Sequence, residues 1–205
     1  MRALILVDLQ YDFCPGGALA VPRGDETIAV ANRVIPHFST IVATQDWHPP
    51  HHKSFAVNNP GTRPGNVIDL DGMSQVMWPE HCVAESHGAR LHDGLEQGRI
   101  TQIFRKGTDP AIDSYSGFFD NGHKKATGLG DWLTERWIKQ VYVMGLATDY
   151  CVKATALDAR KLGFDVWVVE DGCRAVNLKE GDGDRALAEM REAGCTILES
   201  GAIGA

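Results

Sequence analysis

Little in this chain suits it to a membrane or to nucleic acid. No stretch approaches the roughly 18 consecutive apolar residues of a membrane span, and the N-terminal apolar run is cut short by Asp8. No small-residue cleavage site follows that run, so a secretory signal is not expected. Positive charge is scarce: the formal net charge of −7 leaves no basic surface for phosphate contacts. Paired cysteines are missing too. Cys14, Cys82, Cys151, Cys173 and Cys195 are scattered, odd in number and form no Cys-x-x-Cys motif. That argues against a disulfide framework and a structural zinc knuckle. No internal repeat or low-complexity tract occurs. The expectation is a cytoplasmic protein with reduced thiols, acting on a small molecule rather than on nucleic acid or a membrane.

What is present is ordinary globular sequence. A chain of 205 residues with 43 % hydrophobic and 23 % charged residues fits one α/β domain over 1–205. Apolar runs at 3–7, 41–44, 100–104, 141–144, 165–169 and 195–198 read as six strands. Helical spacings cover 24–37, 129–137, 149–162 and 182–193. The alternation implies a doubly wound, six-stranded parallel sheet with helices on both faces. From Asp46 to about Arg99 the regularity fails among prolines and glycines, and so long an excursion within a compact domain is usually functional.

Three residues of different chemistry close apolar runs: Asp8, Lys106 and Cys151. In open α/β sheets ligands bind outside the carboxyl ends of the strands. An acid, an ammonium and a thiol are therefore expected to converge on one pocket for nucleophilic catalysis. Cys151 is placed in the first turn of a helix, with Thr148 or Asp149 as N-cap, where the helix terminus favours a thiolate. Asp46 and His48, one residue apart, point to the same side of an extended chain, and further ligands would let them hold a divalent metal. His81 is the best distant donor, while the reach of His51 and His52 is open. His37, His87, His92 and His123 have no partner pattern and are expected at the surface. Phe13, Trp78 and Tyr115 flank these positions and could wall a flat substrate, although core packing accounts for any one of them equally well.

Four segments, taken in order, add a resemblance: Asp8-Leu-Gln-Tyr-Asp-Phe-Cys-Pro-Gly-Gly17, Gln45-Asp-Trp-His-Pro49, Trp78-Pro-Glu-His-Cys82 and Gly145-Leu-Ala-Thr-Asp-Tyr-Cys-Val152. Together they resemble the nicotinamidase family of isochorismatase-like cysteine hydrolases, from the first strand to the last. The resemblance implies Asp8, Lys106 and Cys151 as catalytic triad and Asp46, His48 and His81 as ligands of one divalent metal. His52 matches a position that ligates in only some members. Zinc or iron suits the ligand types, with manganese a third option. A cis peptide at Leu146–Ala147, an oxyanion hole including Ala147, nicotinamide as substrate within NAD salvage, and activity on pyrazinamide are also implied. A homo-oligomer is compatible with all of this.

The competing readings are a related amidohydrolase acting on another small amide and a non-catalytic metal-binding module. Isochorismate hydrolysis needs no thiol. A phosphohydrolase would want a second carboxylate two residues after Asp8, where Gln10 stands.

Overall fold

The computed structural model describes residues 1–204. Among the described residues eight strands occur, β1 (Arg2–Val7), β2 (Ile41–Asp46), β3 (Val67–Leu70), β4 (Met73–Val76), β5 (Gln102–Lys106), β6 (Gln140–Leu146), β7 (Asp165–Arg174) and β8 (Thr196–Leu198). The α-helices are α1 (Glu26–Val34), α2 (Leu129–Glu135), α3 (Lys153–Lys161) and α4 (Asp182–Glu192). Six strands form one sheet in the order β5-β2-β1-β6-β7-β8, and every pairing in it is parallel. β1 reads Arg-Ala-Leu-Ile-Leu-Val with all but its first residue buried, as a strand covered on both faces must. α1 turns Thr27, Ile28, Val30, Ala31 and Val34 inward, and both α1 and α3 pack on β6 and β7.

Chain direction across the sheet explains where the chemistry sits. From β1 the chain moves outward through β2 to β5, then returns to add β6, β7 and β8 on the other side. The order therefore reverses between β1 and β6, and a crevice opens at the carboxyl ends of strands at such a switch point. Asp8 follows β1 directly, and Cys151 follows β6 after one short turn.

Three expectations need correction. The excursion between β2 and β5 is not wholly irregular, because β3 and β4 form an antiparallel hairpin from Val67↔Val76 to Leu70↔Met73. Its turn residues Asp71 and Gly72 both have positive φ, 54° and 84°, the conformation for which Asp-Gly is favoured. That dipeptide was the available signal. The third strand of the large sheet begins at Gln102 and not Ile100, since Gln97–Arg99 form a 3₁₀ turn just before it. The fifth continues past Val169 to Arg174. Its register with β6 shifts between Val143 and Gly145, and such an irregularity absorbs the extra length.

Candidate active site

Asp8 leaves β1 with φ at 49°, which turns its side chain off the strand and into the crevice. Lys106 is the last residue of β5, two strands away, and its long side chain lies fully buried across the end of β2. The ammonium stands 2.8 Å from Asp8 Oδ2 and 2.5 Å from Asp46 Oδ1. It also donates to the Ser114 carbonyl at 2.9 Å and to Cys151 Sγ at 3.4 Å. The three residues expected to converge do so.

The setting of Cys151 differs from the expectation. It sits in a π-helical turn, Thr148–Val152, which precedes α3, and the N-cap is Ala147 with no side-chain capping bond. Asp149 instead accepts from Val176 N–H at 2.9 Å and Asn177 N–H at 2.8 Å, tying the turn to the loop after β7. The Leu146–Ala147 peptide is cis, as the resemblance implied. Burial pushes the Cys151 thiol well above its ordinary range, with Lys106 pulling the other way. Desolvation outweighs the pull of Lys106 on this thiol. Asp8 shifts in the same direction. Burial raises its carboxyl and Lys106 opposes the rise only in part. Burial by itself would also raise Asp46, but the Lys106 ammonium holds it well below the carboxylate range. The two carboxyls are pushed in opposite directions.

Beside Asp46 lies a cluster of imidazoles. Asp46 Oδ2 is 3.5 Å from His48 Nε2 and 3.8 Å from His81 Nε2. Each ring has its other nitrogen on a backbone carbonyl, His48 Nδ1 on Gly107 O at 2.9 Å and His81 Nδ1 on Pro79 O at 2.7 Å. A carbonyl only accepts, so the neutral rings carry Nδ1–H and turn Nε2 lone pairs toward Asp46. His48 Nε2 is buried without a protein partner. Burial and His48 push the His81 imidazole down to about 4. Three ligand atoms brought together on one side fit a divalent cation.

His52 is placed otherwise. Its Nδ1 lies 2.8 Å from Ser54 Oγ and 3.2 Å from Ser54 N–H. Its ring sits 4.4 Å from that of His48, tilted by 47°, with Nε2 buried and unpartnered, and with His48 and Asp113 it forms a second group of possible ligands. His51 is exposed. The remaining histidines lie outside the crevice, but three of them have partners: His87 and His92 pack on Tyr11 at 4.1 and 4.5 Å, and His123 stacks on Phe119 at 4.9 Å with its Nε2 3.4 Å from Asp158.

Gly107 closes the cluster. It has φ at 64°, and a Cβ there would run into the His48 ring. Gly107→Ala should therefore displace His48. The expected result is a fall in bound divalent ion per chain, read by elemental analysis, with the circular dichroism of the sheet unchanged.

A cleft rises from Cys151, Asp46 and His81. Phe13, Trp78, Tyr115 and Ala147, all expected near substrate, line it. Two further contributors escaped the sequence reading. Asp113 is a buried carboxylate on the cleft wall, held by Ser114 N–H at 2.8 Å and by Gln75 Nε2 at 3.1 Å. Gln75 comes from the hairpin and also donates to the Tyr115 hydroxyl, as does Trp78 Nε1 at 3.1 Å. An isolated Asp in a loop and a Gln on a four-residue strand give no period or spacing to read.

The chain matches the family model of the isochorismatase domain over residues 2–201. It is 53 % identical over 200 residues to the nicotinamidase of Escherichia coli strain K12, covering 96 % of this chain and 93 % of that one. The solved structure of an Acinetobacter baumanii nicotinamidase and pyrazinamidase superposes with a TM-score of 0.95 at 45 % identity, over 98 % of this chain and 96 % of the other. A pyrazinamidase of Pyrococcus horikoshii, solved in complex with zinc, superposes at 0.79 with 40 % identity, over 97 % and 98 %. Among the described residues no helix is long and apolar enough to cross a membrane.

Proposed function

The chain belongs to the isochorismatase family, and from that premise we propose that it hydrolyses nicotinamide to nicotinate and ammonia, and pyrazinamide in the same way, through a thioester on Cys151. The observation that carries the reading is one buried ammonium, Lys106, in contact with Asp8, Asp46 and Cys151 beneath an aromatic-walled cleft. The flat cleft suits a ring, and the thiol with its acid and ammonium suits an amide carbonyl.

Asp8 takes the thiol proton as Cys151 Sγ attacks the amide carbon, and Lys106 offsets the negative charge shared by the two groups. The N–H groups of Ala147 and Cys151 receive the oxyanion at the start of the helical turn. Asp8 then gives its proton to the departing amine, the C–N bond breaks, and ammonia leaves behind a thioester. Water, deprotonated by Asp8, attacks the thioester, and Cys151 leaves as the thiolate and recovers the proton.

Asp46, His48 and His81 would hold the divalent ion, which supplies a Lewis-acid position for the ring nitrogen. Zinc or iron fits two imidazoles and a carboxylate best, with manganese next. Phe13, Trp78 and Tyr115 would hold the ring faces, and Asp46 stays ionised under the Lys106 ammonium.

Ammonia release from nicotinamide, measured with and without chelator and beside a small carbamoyl amide, tests the reading. Chelator-sensitive release from nicotinamide is the expected result. Chelator-insensitive turnover of the carbamoyl amide alone would replace it with another amidohydrolase, and no release from either would leave only a metal-binding module.

A further inference from the structure

The proton acceptor of the thiol is a carboxyl group with two oxygens, and their surroundings are unlike. Thr44, fully buried on β2, donates its hydroxyl hydrogen to Asp8 Oδ1 at 2.6 Å. Lys106 faces Oδ2 at 2.8 Å, yet Oδ2 is a buried atom with no aligned hydrogen bond. The ammonium is shared. Its three hydrogens face four groups, Asp8 Oδ2, Asp46 Oδ1, the Ser114 carbonyl and Cys151 Sγ. Oδ1 has a hydroxyl donor of its own, whereas Oδ2 meets only this shared ammonium, and an oxygen of Asp8 lies within 4.8 Å of the sulfur.

We propose that Thr44 is a positioning residue for proton transfer, fixing Oδ2 as the oxygen that takes the thiol proton and later returns it to the amine. The proposal rests on the reading of Cys151 as nucleophile and Asp8 as base. The hydroxyl is itself held in place. A Cβ on Gly117 would come within 2.7 Å of the Thr44 methyl, so that methyl packs directly on bare backbone. The Gly117 backbone is pinned in turn, its N–H donating to Thr155 Oγ1 at 2.9 Å and its carbonyl accepting from Thr127 Oγ1 at 2.6 Å. A β-branched side chain clamped at its methyl keeps one χ1 rotamer, and the hydroxyl has one direction left to point. Without it, Oδ1 loses its donor and competes with Oδ2 for the proton.

Thr44→Val keeps the shape and removes the donor; Thr44→Ser keeps the donor. The test compares kcat for nicotinamide and the rate of Cys151 alkylation by iodoacetamide at neutral pH, each with and without Asp8→Asn. Thr44→Val should lower both rates about 10- to 100-fold, the loss of one hydrogen bond to a charged group, and Thr44→Ser should stay within about 3-fold of the parent. In the Asp8→Asn background Thr44→Val should change little. Parent-like rates in Thr44→Val, an equal loss in Thr44→Ser, or a full extra loss on Asp8→Asn would each overturn the proposal. If Thr44→Val does not fold, Thr44→Ala takes its place under the same criteria. Thr44-dependent alkylation in an enzyme that releases no ammonia from nicotinamide would support the role of Thr44 and refute the substrate.

Discussion

Replacing Cys151 by alanine is expected to lower kcat for nicotinamide by about 10⁴-fold or more, because residues that act as one unit fail together. The fold should survive. The sulfur accepts a hydrogen bond from Lys106, and alanine fits the same turn. Cys82 is the one other thiol close enough to the carboxylates to feel Asp46 and Asp8, but burial and those anions push it well above the thiol range. Its backbone N–H is tied to Asp12 Oδ2 at 2.7 Å, which marks it as part of the excursion's scaffold. Cys82→Ser should therefore keep kcat, with any loss appearing in thermal stability. Mass spectrometry of the alkylated protein supplies the second readout. A single adduct at Cys151 that protects against further inactivation agrees with the assignment, whereas unaltered turnover in Cys151→Ala would remove it.

The second large effect concerns the divalent ion. Stripping the ion with chelator should reduce kcat/KM for nicotinamide by about 10²-fold or more, equivalent to about 3 kcal/mol of ring binding. His81→Ala should reach the same state by a different route. It removes one of two Nε2 lone pairs facing Asp46, and elemental analysis should find much less metal per chain. Alkylation of Cys151 should persist in both cases, because Lys106 and Asp8 are contributed by other strands and remain in place. Benzamide lacks the ring nitrogen, so it should be a poor substrate of the loaded enzyme and be little affected by chelator. Full metal occupancy in His81→Ala would reject the ligand set. Equal kcat/KM for nicotinamide and benzamide would reject ring anchoring while leaving the thiol chemistry standing.

Much of the site was legible because its residues end regular elements. Asp8 and Lys106 each interrupt an apolar run at the point where a parallel strand delivers side chains to a ligand, and Cys151 follows the next run after one turn. Asp46 and His48 shared a face by their spacing alone. Residues in mid-element were not legible. Thr44 is a β-branched residue in a buried strand, a type common at core positions, and its hydroxyl acquires meaning only when β2 lies beside β1. The hairpin carrying Gln75 was hidden by its short strands, although Asp71-Gly72 was a readable turn. Cys151 was expected in an ordinary helix start, but the chain enters α3 through a π turn with Asp149 committed to the loop after β7.

Sequence by itself determined the elements, the alternation that makes the sheet parallel, and the residue types available at the strand ends, since these follow from local period and from where polar residues break it. Tertiary structure decided the rest. It brought β6 next to β1, so that Asp8 and Cys151 face one crevice. It placed the Gly107 and Pro79 carbonyls against His48 and His81, which orients their lone pairs. It also surrounded the Lys106 ammonium with Asp8, Asp46, Ser114 and Cys151, from four different segments. A period encodes only what neighbours along the chain share, whereas which donor meets which acceptor is settled by packing between segments far apart in sequence.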